Sequence, residues 1–416
     1  MVLVVLGWVW YNFRMKIKTR LYENIIREHL ALYRQMVFLS GPRQVGKTTL
    51  ARLFATDYLN WETKDVRQLV LKGAKAVGDS MGLSEDGAAK RILVFDEIHR
   101  YSKWKGFLKG FFDLYEKQAR IFATGSARLD VYKRGGDSMM GRYFPYRIHP
   151  LSVGEISGGR LDVEGGLRKP AKVRDESLRS LLRFGGFPEP FLRGSERFYN
   201  RWKNARKDLV FHEDLRDLSK VQDIRGVRAL SELLSARVSG GINYSGLATD
   251  LQVAPDTVKS WIGLLESVYE VYSIRPWFAN VANSIRKQPK VYFWDWSSVA
   301  EGGMRNENFI ASHLLKSVQW WTDSGLGEFD LHYVRDKQQR EVDFLIAKDG
   351  APYILVESKT SMDEPLSSVL TYFQTALNVP FAFQVAVEGE YSGIDPFDYK
   401  GRSVRISAAD FLSVLI

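Results

Sequence analysis

Leu39-Ser40-Gly41-Pro42-Arg43-Gln44-Val45-Gly46-Lys47-Thr48-Thr49-Leu50 is the stretch that decides how this chain is read. Gly41, Gly46, Lys47 and Thr48 satisfy the spacing G-x-x-x-x-G-K-[ST]. On the amino side, Met36-Val37-Phe38-Leu39 is a short apolar run suited to a buried strand. On the carboxyl side, Thr48 to Ala55 predicts a helix with Leu50, Leu53 and Phe54 on one face. Strand, glycine-rich turn and helix in that order let backbone N–H groups turn inward onto phosphate oxygens. The expected ligands are ATP and Mg²⁺. Gly41, Pro42, Arg43, Gln44, Val45, Gly46, Lys47, Thr48 and Thr49 would line the nucleotide. Lys47 would reach the β and γ phosphates, and Thr48 would ligate Mg²⁺.

A second strand signal, Ile92-Leu93-Val94-Phe95, ends in Asp96-Glu97. Four apolar residues closing on acids suit a buried parallel strand, whose carboxyl end is where ligands sit in open α/β sheets. Asp96 would hold Mg²⁺ through water, and Glu97 would orient and deprotonate an attacking water. A strand whose acidic end merely caps the next helix is the alternative. Arg120 to Thr124 predicts a further strand followed by Gly125-Ser126-Ala127, where Thr124 or Ser126 would sense the γ-phosphate, an ordinary turn being the alternative. Arg142, in Met139 to Ser152, is a candidate stabiliser of transition-state charge, acting within its own chain or from a neighbouring subunit.

These residues together resemble a known family. Gly41-Pro42-Arg43-Gln44-Val45-Gly46-Lys47-Thr48-Thr49, the Val94 to Arg100 strand end, Thr124-Gly125-Ser126 and the series Gly141-Arg142 … Pro150-Leu151-Ser152 … Glu155 are similar to ATPases in which an AAA-type domain precedes a domain of unknown function, DUF4143. The resemblance runs from about Met15 to the end. It implies an ASCE-type P-loop fold with a parallel sheet and a catalytic glutamate, matching Glu97. The second strand of such ATPases often ends in an acid. Here Asn60 and Trp61 precede Glu62, so that strand is assigned no catalytic role.

At 416 residues the chain is long enough for two or three domains. Its 45% hydrophobic and 26% charged residues are an ordinary globular balance. A net charge of +10 suits a polyanion such as DNA as partner. With no cysteine, a disulfide framework and a thiolate metal site are excluded, and cytoplasmic residence is expected. The apolar run Val2 to Phe13 is shorter than the roughly 20 residues of a spanning helix and lacks the marks of a secretory signal, so no stable membrane span is expected. An interfacial anchor, a buried strand or a start codon assigned too early would explain it, and the last is preferred because Met15 opens a globular-looking stretch. A homo-oligomer is compatible with this reading.

The expected division is residues 1–14 as an extension, 15–155 as the P-loop ATPase core, 156–225 as a helical linker region, 226–300 as a winged helix and 301–416 as a nuclease-like α/β domain. Gly154 to Arg174 reads as a loop. Leu247 and Leu251, a turn at Val253 to Asp256, then Val258, Ile262 and Leu265 predict a helix-turn-helix, with Ser245 capping the first helix. β-rich runs Tyr269 to Ile274 and Lys290 to Phe293, joined by a connector with Arg275, Arg286 and Lys287, complete a winged-helix pattern. Lys259 and Ser260 would lie on its outer face, towards phosphates or base edges. A plain protein–protein module is the alternative.

In the C-terminal part, Arg340 to Ile346 and Pro352 to Lys359 flank Asp349-Gly350 and predict a hairpin. Glu357-x-Lys359 with Asp343 upstream resembles the D…E-x-K site of the PD-(D/E)XK nuclease fold. Two carboxylates would hold Mg²⁺ and the lysine would activate water. Glu307 is the fourth candidate, and Gln374 a late polar residue of the kind such folds carry. Glu357 and Lys359 share one strand face. A three-residue loop would set Asp343 opposite Glu357, whereas a two-residue loop would turn it away. Buried Asp, Glu and Lys forming a structural ion-pair network is the alternative to cleavage.

Overall fold

The computed structural model describes residues 20–83, 91–125, 139–162, 165–218, 223–277 and 288–416. The 1–14 extension, Met15, Ser126, Arg286 and Lys287 lie outside them. The chain divides after His149 into two compact units.

The first unit is built on five strands, β1 (Met36–Ser40), β2 (Asp57–Asn60), β3 (Arg91–Asp96), β4 (Ala119–Thr124) and β5 (Tyr143–Arg147). They form one sheet in the order β2-β3-β4-β1-β5. Every neighbouring pair is parallel. Such a sheet is covered on both faces, which is why β1 and β4 are buried at every position. Helices α1 (Tyr22–Leu32), α2 (Lys47–Arg52), α3 (Lys64–Leu71), α4 (Ala74–Ser80) and α5 (Trp104–Tyr115) supply the cover. In α5 the apolar spacing is that of one helical face: Trp104, Phe107, Leu108, Phe111, Phe112 and Tyr115 are all buried. They pack with Phe38, Leu93 and Phe95 in the main core of the unit. Because β4 lies between β1 and β3, the carboxyl ends Ser40, Thr124 and Asp96 share one edge.

The second unit opens with α6 (Val153–Ser157) and a small hairpin, β6 (Leu161–Asp162) and β7 (Leu167–Arg168). The expected loop over Gly154 to Arg174 is thus partly ordered. The physical reason is the Ser152 hydroxyl, which accepts the Glu155 N–H at 3.4 Å and caps α6. Helices α7 (Asp175–Phe184), α8 (Pro188–Arg193) and α9 (Glu196–Leu209) follow, α9 running through a π turn at Val210–Asp214 into Leu215–Leu218. Three more helices, α10 (Ile224–Ser235), α11 (Tyr244–Leu251) and α12 (Pro255–Ser267), precede the antiparallel strands β8 (Val271–Pro276) and β9 (Lys290–Phe293). Asn243, not Ser245, caps α11, its Oδ1 accepting the Gly246 N–H at 3.0 Å. Val258, Ile262 and Leu265 are buried, and Lys259 and Ser260 are exposed.

The rest of the unit comprises α13 (Gly303–Asp323), β10 (Phe329–Arg335), β11 (Glu341–Lys348), β12 (Ala351–Ser361), α14 (Ser368–Ala376), β13 (Phe381–Glu388), β14 (Ser403–Ser407) and α15 (Ala408–Ser413). Its sheet runs β14-β13-β12-β11-β10-β8-β9. The β8–β9 hairpin therefore extends the C-terminal sheet, β8 pairing in parallel with β10. Glu155 is also anchored in this unit. Its carboxylate accepts from Lys316 of α13, both side chains almost fully buried. Lys316 Nζ further donates to the Pro150 carbonyl at 3.0 Å and to Ser152 Oγ at 2.9 Å. A buried ammonium with three oxygen acceptors satisfies its donors.

Candidate nucleotide site and a second acidic cluster

Between β1 and α2 the loop holds two glycines in conformations that side chains avoid, Gly41 at φ +139° and Gly46 at φ +99°. At Gly41 space forbids a side chain as well. A Cβ there would lie 2.3 Å from the Ile148 carbonyl oxygen. Lys47 folds back over the loop, its Nζ donating to the carbonyls of Gly41 and Pro42, each at 2.8 Å. Arg20 braces the loop from outside, donating to the Val45 carbonyl at 2.9 Å and to the His149 carbonyl at 2.7 Å.

Asp96 is 2% exposed and faces this loop. The Thr48 hydroxyl donates to it at 3.1 Å, and the hydroxyls of Tyr58 and Thr124 donate to its two oxygens. Glu97 follows in the left-handed region at φ +55°, and its N–H donates to Thr124 Oγ1 at 3.3 Å. Its carboxylate lies 3.8 Å from both His99 Nε2 and Arg100 Nε. Burial lifts the Glu97 pKa above the usual carboxylate range, Lys47 draws it down and Asp96 pushes it up again, with a net rise. Thr48, Asp96, Glu97 and Thr124 are thus brought to one edge beside Lys47.

Arg142 is not brought there in its own chain. It precedes β5, whose first residue pairs with Met36 at the far end of β1 from the loop, and it forms an ion pair with Asp113 at 2.8 Å. Two residues of the site escape sequence reading. Arg20 carries no motif at all. Tyr58 lies on the strand assigned no catalytic role, yet its hydroxyl reaches Asp96 across the sheet. The Arg52 guanidinium lies 4.3 Å from its ring centre. Burial and the bond to Asp96 push the phenol up to about 12. Tyr58 is two residues before the end of a strand that pairs Asn60 with Asp96, a pairing that no local pattern encodes.

In the second unit the β11–β12 turn is Asp349-Gly350, both with positive φ, which is the two-residue hairpin geometry. A three-residue loop was the condition set by the sequence for a site here. The structure meets that condition differently. A bulge lets β12 carry one extra residue, Tyr353, between the pairs Ile346↔Ile354 and Ala347↔Pro352. Beyond it Phe344 opposes Val356, so Asp343 comes opposite Glu357. Asp343 Oδ2 accepts the Ser358 N–H at 2.8 Å, and Lys359 Nζ lies 3.2 Å from Glu357 Oε1. Glu307 on α13 accepts from the Tyr292 hydroxyl at 2.7 Å.

Lys290 on β9, unmarked in the sequence, is the centre of this cluster. Its ammonium lies 2.7 Å from Glu341, 3.6 Å from Glu307 and 3.8 Å from Asp343. Burial lifts Glu307 to about 7, aided by Asp343, and lifts Glu357 to about 7, again aided by Asp343. Asp343 itself is raised by burial against the pull of Lys290. Glu357 Oε2 is buried without a hydrogen-bond partner. Among the described residues, no three His, Cys, Asp or Glu side chains converge to hold a metal ion. Gln374 stands apart, accepting from Ser403 Oγ at 2.6 Å.

The fold and the Gly41–Asp96 arrangement are those of a P-loop protein. An AAA domain model matches residues 33–157, a domain of unknown function (DUF8612) matches 175–301, and a second one (DUF4143) matches 302–392. The chain thus carries an AAA domain followed by a C-terminal DUF4143 domain. It is 26% identical over 357 residues to an uncharacterized protein of Mycobacterium tuberculosis, covering 83% of this chain and 76% of that one. An uncharacterized protein of Methanocaldococcus jannaschii is 23% identical over 334 residues, covering 76% and 73%. Among solved structures, the Aeropyrum pernix ORC1 protein in complex with DNA is 13% identical, with a TM-score of 0.31 over 67% of this chain and 90% of that one.

The acidic cluster makes stability depend on pH in a defined direction. Glu307 and Glu357 hold protons in the folded unit up to about pH 7 but release them near 4.5 when unfolded. Their contribution is therefore complete below pH 4.5 and lost as pH rises through 7. Glu357→Gln is expected to raise the melting temperature of the second unit at pH 8 relative to pH 5 by about 2–4 °C more than wild type, in thermal scans at both pH values. Equal shifts at the two pH values would show that Glu357 is not held protonated.

Proposed function

We propose that this protein binds and hydrolyses ATP with Mg²⁺ at the Gly41–Thr49 loop. The observation that carries this reading is the Asp96 carboxylate, buried at the sheet edge, bonded to Thr48 of the loop and followed by the raised carboxyl of Glu97. The donor set fits the ligand: loop amides freed by Gly41 and Gly46 suit phosphate oxygens, and a hydroxyl with a carboxylate suits a hard cation. Thr48 and Asp96 would hold Mg²⁺, which when bound neutralises charge on the phosphates. Lys47 exchanges the carbonyls of Gly41 and Pro42 for phosphate oxygens when nucleotide enters. Thr124 positions the Glu97 backbone, and Glu97 accepts the proton of the attacking water. Arg142 would act only from a neighbouring copy in a homo-oligomer. Lys47→Ala is expected to abolish nucleotide binding or turnover. Glu97→Gln should keep binding and lose about 10²-fold or more in kcat, measured by phosphate release. Turnover at the wild-type rate in Glu97→Gln removes Glu97 as the base.

We further take ATP turnover to control how the second unit, with its winged-helix arrangement of α10 to β9, engages DNA. The net charge of +10 and the paired helices α11 and α12 ahead of a hairpin support this. No helix among the described residues is long and apolar enough to cross a membrane, and we assign the protein to the cytoplasm. A nucleotide-dependent protein-interaction module is the rival reading, distinguished by the absence of steeply salt-dependent DNA binding.

A metal-dependent nuclease is the second reading, favoured by Asp343 opposite Glu357 with Lys359 beside it. The residues do not fit a resident Mg²⁺, because the Lys290 ammonium already stands among Glu307, Glu341 and Asp343. We read the cluster as a structural ion-pair network in a PD-(D/E)XK-like domain. Supercoiled plasmid with Mg²⁺ or Mn²⁺ is expected to stay intact. Nicking that disappears in Glu357→Ala would establish cleavage instead.

A further inference from the structure

The chain's positive charge is concentrated. Residues 168–207 hold twelve Lys and Arg against four Asp and Glu, a surplus of eight in a protein whose net charge is +10. By contrast, residues 244–267, the α11–α12 pair, hold a single basic residue, Lys259, against Asp250, Asp256 and Glu266. A nucleic-acid backbone is drawn to the first segment and repelled by the second.

The structure turns that surplus outward. A groove of about 530 Å³ between α7 and α8 has Arg174, Arg179, Arg183 and Arg193 in its lining against one acid, Glu176. All four arginines are exposed. The surface continues onto α9, where the exposed Arg197 and Arg201 lie one turn apart while Tyr199 and Trp202 face the core. Arg183 joins the two parts through Glu196, at 2.8 Å. Arg179, Arg197 and Arg201 have no carboxylate partner among the described residues. The exposed cations here are mainly arginine, whose planar fork takes phosphate oxygens in pairs. Residues 168–207 contribute no exposed large hydrophobic side chain, so the surface lacks the apolar insert that a membrane-binding face uses.

We infer that the α7–α8 groove and the outer face of α9 form the surface that grips the sugar–phosphate backbone of DNA, in place of the exposed face of α12. The inference rests on the reading that this protein engages DNA, and it names the surface. α12 with its single lysine then serves as a packing element of the helix bundle.

The test is fluorescence anisotropy with a labelled 30-base-pair duplex and the matching single strand over a series of salt concentrations. The variant Arg179→Ala/Arg197→Ala/Arg201→Ala is compared with Lys259→Ala and with the same three positions changed to Lys. The triple alanine variant is expected to lose about tenfold or more in affinity and to lower the slope of log K against log salt by about two to three. The lysine version should keep most of the slope, and Lys259→Ala should keep both quantities. Wild-type affinity and slope in the triple alanine variant, with an unchanged melting temperature, overturn this surface but leave DNA engagement standing. Loss of binding in Lys259→Ala alone returns the contact to α12. Wild-type protein that binds anionic vesicles and no DNA overturns the surface and the DNA reading together. The ATPase reading is then still judged by Lys47→Ala.

Discussion

A buried carboxylate with hydroxyl partners organises the first unit. Asp96 is sealed from solvent, and a sealed carboxylate is costly unless hydrogen bonds replace its lost water. Here the donors come from three elements: Thr48 from the start of α2, Tyr58 from β2 and Thr124 from β4. Those contacts require β4 to lie between β1 and β3, and β2 to lie on the other side of β3. The strand order is thus tied to the chemistry of one side chain. These hydroxyls hold the Asp96 carboxylate beside the loop that Lys47 folds over.

The acidic cluster of the second unit solves the same problem by the opposite means. Glu307, Asp343 and Glu341 surround a lysine, and protonation relieves what the lysine does not balance. Asp96 is held by hydroxyl donors, whereas Glu307, Glu341 and Asp343 face the Lys290 ammonium.

Much of this was legible in the residues. The strand–loop–helix around Gly41 and the acidic end of β3 follow from local pattern, because apolar runs and glycine spacing are short-range signals. Tyr58 and Arg20 were not legible, since each acts across the sheet or across more than 100 residues of chain, as Arg20 does with His149. Lys290 was hidden for the same reason. Its role exists only once β8 and β9 join the C-terminal sheet, a pairing no local pattern encodes. The hairpin shows a subtler limit: the turn chemistry of Asp349-Gly350 predicts its own two-residue loop well, but no turn signal marks the bulge at Tyr353 that restores the register.

The central claim is that Asp96, held by Thr48, supplies the cation-binding half of a nucleotide site. It is tested most directly by titrating a fluorescent ATP analogue into wild type and Asp96→Asn, with and without Mg²⁺. The account predicts that Mg²⁺ tightens binding to wild type and that Asp96→Asn loses this Mg²⁺-dependent gain while keeping binding to the loop. An equal Mg²⁺-dependent gain in Asp96→Asn would contradict it.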